Sequence, residues 1–102
     1  MAGMGGNTGS KGNPGANEVR IQGMAFIPSS VTVKEGTVIT WTNDDSVPHT
    51  VTSDTGLFDS GTMNPPDLYT GGGTFSYTFT TAGTYKYHCS LHAAMTGTVI
   101  VN

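Results

Sequence analysis

One stretch of this chain concentrates metal-binding chemistry: Tyr87-His88-Cys89-Ser90-Leu91-His92-Ala93-Ala94-Met95. Thiolate, imidazole and thioether follow one another as C-x2-H-x2-M, a spacing that lets one tight loop wrap a single ion. A soft thiolate with imidazoles and a weak thioether suits copper, whereas oxygen or four-thiolate donor sets suit other metals. One more imidazole is needed from elsewhere, and His49 in Val47-Pro48-His49-Thr50-Val51 can supply it. The candidate metal ligands are therefore His49, Cys89, His92 and Met95. Each has a plainer reading by itself. Cys89 could be a small core hydrophobe, His49 a surface or capping histidine, and Met95 ordinary packing. Their combination in one order and spacing is what favours a metal. Met24 and Met63 read as surface or core residues, and His88 points out of its strand, away from Cys89.

Those donors meet only if a scaffold brings two distant segments to one end. From Glu18 onward the chain consists of short β-rich runs, at 18–22, 30–34, 37–43, 50–53, 74–80, 83–89 and 97–101. Turn-forming residues separate them: Pro28-Ser29, Glu35-Gly36, Asn43-Asp44-Asp45-Ser46, Asn64-Pro65-Pro66-Asp67, Gly71-Gly72-Gly73 and Ala82-Gly83. Helix is expected for a turn or two at most, around 57–63. Many short strands with regular turns point to an all-β, antiparallel Greek-key sandwich of about seven to eight strands. Alternation puts Ile39, Trp41 and Asn43 on one inward face and Phe75, Tyr77 and Phe79 on another. In 83–89 the inward set is Tyr85, Tyr87 and Cys89, so Cys89 ends a core face. Tyr85, following Thr81-Ala82-Gly83-Thr84, has the placement of a tyrosine corner.

The 102 residues make one domain, with a single cysteine and so no internal disulfide. A net charge of −3, with only four Lys plus Arg, leaves no footprint for nucleic acid. No apolar run reaches the roughly 18 residues needed to span a bilayer. Residues 1–10 lack the basic and apolar regions of a secretory signal. The expectation is either a cytoplasmic protein or one whose leader was removed and whose Met1 was added in expression. Residues 1–17 are Gly/Asn-rich and read as a flexible tail ahead of an 18–102 domain. That tail is either a frayed terminus or a tether to a membrane anchor or another module.

The string Phe26-x-Pro28-x2-Val31-x-Val33-x2-Gly36-x4-Trp41-x-Asn43, then Pro48-His49-Thr50-Val51, then Tyr85-x-Tyr87-x-Cys89-x2-His92-x2-Met95-x-Gly97 resembles the cupredoxins. The two-residue gap between His92 and Met95 is similar to that of amicyanin; plastocyanins have a longer one. The resemblance implies a mononuclear type 1 (blue) copper site, one ion per chain, that carries single electrons as Cu(I)/Cu(II). It implies that Thr50, where amicyanins and plastocyanins carry Asn, donates its backbone N–H to the Cys89 sulfur. It implies too that the His92 edge lies inside an apolar ring drawn from Met24, Val47, Pro48, Met63, Leu91 and Ala93. Transient redox partners, such as a c-type cytochrome or a membrane oxidoreductase, would dock there. A periplasmic or other extracytoplasmic location and a monomeric state fit the family. Asp44, Asp45, Asp54, Asp59 and Asp67 fall in an interval without basic residues and could form an acidic rim; turn formation accounts for them equally.

Two other functional classes fit these residues less well. A copper(I) carrier or storage module would hold its metal in an exposed, releasing site, whereas a closed site on a rigid sandwich retains it. An enzyme is not expected. Three histidines cannot build a trinuclear centre, one cysteine cannot build a binuclear one, and nothing at a strand end activates Cys89 as a nucleophile.

Overall fold

In the computed structural model, which describes residues 17–102, the alternation of apolar and polar side chains becomes two four-stranded sheets. The strands are β1 (Glu18–Gln22), β2 (Ala25–Ile27), β3 (Ser30–Val33), β4 (Thr37–Asn43), β5 (Thr52–Ser53), β6 (Thr74–Phe79), β7 (Gly83–Cys89) and β8 (His92–Val101). One sheet has the order β2-β1-β4-β6 and the other β3-β8-β7-β5. The tail reading falls on residues 1–17, which apart from Asn17 lie outside the described residues.

The sandwich is as expected, with one refinement. Each sheet carries a parallel pair, β1 with β4 and β3 with β8, among otherwise antiparallel neighbours. Parallel neighbours cannot be joined by a hairpin, so the chain crosses between sheets, and the crossings carry the His49 loop to the end where β7 and β8 meet. Three local expectations need correction. The three-residue β2 was not foreseen; it folds back on β1 through Gly23 and Met24, both at positive φ. Segment 57–63 forms no helix. Single bridges between Thr52 and Asp59 and between His49 and Met63 hold it instead. The last strand begins at His92, not Gly97, because His92 pairs directly with Cys89.

Trp41, fully buried, occupies the centre of the core. Its ring packs edge-on against Tyr87 at 5.4 Å and lies within 5.8–6.3 Å of Phe75, Phe58 and Phe79. The tyrosine corner forms as expected, Tyr85 donating its hydroxyl hydrogen to the Thr81 carbonyl. Gly97 pairs with Tyr87 across β7 and β8, and a Cβ there would lie 2.3 Å from the Tyr87 ring. The missing side chain therefore lets Tyr87 lie against the strand that carries the Cys89 hairpin. Gly72 serves the other loop, where a Cβ would meet the Asn43 carbonyl oxygen at 1.6 Å. Among the described residues no helix is long and apolar enough to cross a membrane.

Candidate metal centre

Cys89 ends β7 and His92 begins β8, with only Ser90 and Leu91 between them. A register irregularity between His88 and Cys89 turns the cysteine into the sandwich end, and the tight connection sets His92 opposite it. His49 reaches the same place from the other sheet. Its backbone exchanges two hydrogen bonds with Met63, His49 N–H donating at 3.2 Å and Met63 N–H at 2.8 Å. Asn43, wholly buried at the end of β4, organises the intervening loop. Its amide donates to the carbonyls of Val47 (3.0 Å) and Met63 (2.9 Å), and its oxygen accepts the Asp45 N–H.

His49, Cys89 and His92 present donor atoms that all lie within 4.8 Å of one another. Cys89 Sγ is 3.6 Å from His49 Nδ1 and 3.7 Å from His92 Nδ1. These separations decide whether one ion fits. Donors about 2.0–2.1 Å (nitrogen) and about 2.3 Å (sulfur) from a shared first-row ion stand 3.6–3.7 Å apart when the angle at the ion is about 110–120°. The residues present therefore fit a metal, and a thiolate with two imidazoles is the donor set of copper electron-transfer sites. Met95 is buried on β8, three residues beyond His92. His88 stands apart as expected, half-buried and bonded through Nδ1 to Asp54 at 2.6 Å.

The surrounding hydrogen bonds orient the donors. Thr50 N–H donates to Cys89 Sγ at 3.3 Å, which stabilises negative charge on the sulfur. The Thr50 hydroxyl accepts the Ser90 N–H at 2.7 Å and stands 3.1 Å from the Ser90 hydroxyl, so the threonine pins the Cys89–His92 turn despite replacing asparagine. His49 Nε2 lies 2.9 Å from Asp45 Oδ2. That bond, and behind it the Met24 amide, holds the Asp45 carboxyl below its ordinary range. Burial pushes the phenol of Tyr87, two residues before Cys89 on β7, up to about 12, so it stays neutral.

Five of the six residues of the expected apolar ring are exposed. Met24, Val47, Pro48, Leu91 and Ala93 are exposed, whereas Met63 is buried beneath His49 and leaves the ring. The aspartates have local partners: Asp44 pairs with Arg20 at 2.8 Å, Asp54 with His88, and Asp67 accepts the amides of Tyr69 and Thr70 within its own turn. Asp45 was the residue that the sequence reading missed as part of the site. The available signal was a carboxylate four residues before a candidate ligand, inside a turn.

A family described as copper binding proteins, plastocyanin/azurin family, matches residues 14–102. The chain is similar to plastocyanin of Sambucus nigra, 42% identical over 88 residues that cover 78% of this chain and 89% of that one. It is similar to amicyanin-alpha of Methylorubrum extorquens, 37% identical over 87 residues, covering 85% and 72%. Among solved structures, a purple cupredoxin from Nitrosopumilus maritimus superimposes with a TM-score of 0.73 at 33% identity, covering 83% of this chain and 98% of that one. A copper(I) form of an amicyanin variant gives 0.73 at 32% identity, covering 91% and 85%.

Proposed function

We infer the function of this chain from the family to which it belongs, the copper-binding plastocyanin/azurin proteins: it carries single electrons through one type 1 copper site. The observation that supports this reading best is the convergence of His49, Cys89 and His92 at one end of a rigid sandwich. When bound, copper supplies a one-electron Cu(I)/Cu(II) couple. His49 Nδ1, Cys89 Sγ and His92 Nδ1 would hold it as the strong ligands, with the Met95 sulfur as a weaker fourth. The chain's own part is to hold these donors where neither oxidation state requires them to move. Backbone bonds to Met63 fix His49, and Thr50 ties Cys89 and Ser90 to the same loop. His49 and Cys89 are fully buried, which favours retaining the metal over handing it on.

His92, half-buried between exposed Leu91 and Ala93, is the proposed point of electron exchange. With Met24, Val47 and Pro48 these residues form an apolar surface suited to brief docking. The proposed partners are redox proteins such as a c-type cytochrome or a membrane oxidoreductase, met as a monomer in the periplasm or another extracytoplasmic compartment. The tail is proposed as a tether, and no bond-making reaction is assigned. Voltammetry of the copper-loaded protein is the test, and a reversible one-electron wave is expected. Met95→Leu conserves volume and should keep the colour and raise the potential, by tens of millivolts on a scale of about 59 mV per tenfold change in redox preference. An irreversible wave would refute the electron-carrier role, and an unchanged potential would remove Met95 from the ligand set.

A further inference from the structure

We propose that Asp45 is a positioning residue of the metal centre: it fixes the His49 imidazole for ligation and favours the oxidised ion through its charge. The proposal rests on the copper reading above.

Asp45 is held from every side. Its Oδ2 accepts the Met24 N–H at 3.0 Å and contacts His49 Nε2 at 2.9 Å, its Oδ1 accepts the Ser46 N–H at 3.2 Å, and its own N–H donates to Asn43. The side chain is 15% exposed and that of His49 is 0% exposed, so water has little access to the bond between them. An ionised carboxylate can only accept hydrogen bonds, which makes Nε2 the protonated nitrogen of His49. The lone pair of the neutral ring then sits on Nδ1, the atom 3.6 Å from Cys89 Sγ. A carboxylate behind a ligating imidazole fixes its orientation and increases its basicity.

The charge has a second consequence. Oxidation adds one positive charge at the donor cluster, and a fixed anion one imidazole away stabilises that charge across a partly buried bond. The carboxylate should therefore lower the potential. No carboxylate is bonded to His92 among the described residues, so the two imidazoles are held unequally. The Gly23–Met24 turn, whose Met24 side chain is exposed, braces the carboxylate from the apolar docking face.

A rival account makes Asp45 only a cap for the 43–47 turn, and Asp45→Asn separates the two. Asparagine keeps one oxygen, which can still accept the Met24 amide in place of Oδ2; it gives up the acceptor for the Ser46 amide and loses the charge. We expect Asp45→Asn to bind one copper with about 10–100-fold lower affinity. Its potential should rise by about 59 mV, the equivalent of a tenfold loss of preference for the oxidised ion. Parent-like affinity and potential, with only thermal stability reduced, would overturn the proposal in favour of the cap. Should the variant not fold, nitrogen-15 NMR of the unaltered apoprotein decides, at a pH where the ring is neutral. A slowly exchanging Nε2–H on His49 supports the proposal, and an Nδ1–H tautomer overturns it. Parent protein that takes up no copper would instead refute the underlying copper reading, and this proposal with it.

Discussion

Cys89→Ser is expected to abolish the blue colour completely while leaving the apoprotein folded. Intense visible absorption at a type 1 site needs a copper–thiolate bond, and Cys89 is the chain's single thiol. A serine hydroxyl is a hard, weakly acidic donor and does not replace it. Copper affinity should fall by more than the roughly 10–100-fold that changes around a metal's ligands cost, because a ligand itself is lost. The fold should tolerate the change. Cys89 is fully buried, but the Thr50 N–H that now points at its sulfur from 3.3 Å can donate to the serine oxygen. Absorption spectra and copper titration, with circular dichroism of the apo form, check the outcome. A blue Cys89→Ser protein would place the chromophore elsewhere.

Trp41→Ala should be the most damaging core substitution. The indole is enclosed by Tyr87, Phe75, Phe58 and Phe79, and truncation of such a residue costs about 3–5 kcal/mol in lost burial and cavity formation. Small domains are stable by about 5–15 kcal/mol in total. Each kcal/mol lowers the melting temperature of a domain this size by roughly 4–8 °C, so thermal unfolding of the apoprotein reads the effect directly. Trp41→Phe should be much milder. The buried indole nitrogen has no hydrogen-bond partner among the described residues, and removing it relieves a desolvation cost of about 1–3 kcal/mol that offsets part of the lost packing. The loss should also reach the metal centre, since Tyr87 packs on Trp41 and stands two residues from Cys89 on the same strand face. A melting temperature within a few degrees of the parent would show that the core is not organised around this ring.

The chemistry of the site was legible because it is local. Cys89 ends one strand and His92 and Met95 open the next across a two-residue turn, and alternation alone sends Tyr85, Tyr87 and Cys89 inward. Bringing His49 to them depends on the crossings between sheets, and the parallel pairs of β1 with β4 and β3 with β8 leave no mark on either partner's own pattern. The short β2 escaped notice because a turn at positive φ, not a long alternating run, defines it. Met63, open between surface and core in the sequence, entered the apolar ring only through the resemblance; its burial follows from the two backbone bonds that zip its segment onto His49. Asp45 was hidden for a related reason. In sequence it is one of two adjacent turn aspartates, and only its spacing of four residues from His49 separates it from Asp44. Three dimensions do, since Asp44 faces Arg20 while Asp45 faces His49. Thr50 went the other way. The resemblance assigned it only a backbone N–H to the sulfur, yet its hydroxyl also accepts the Ser90 amide at 2.7 Å and holds the loop.

The central claim is that His49, Cys89 and His92, with Met95, hold one copper ion bonded to a thiolate. Titrating the purified apoprotein with copper(II) tests it most directly. The account predicts an intense blue absorption that grows linearly and stops at one copper per chain; a colourless or merely pale complex containing stoichiometric copper would contradict it.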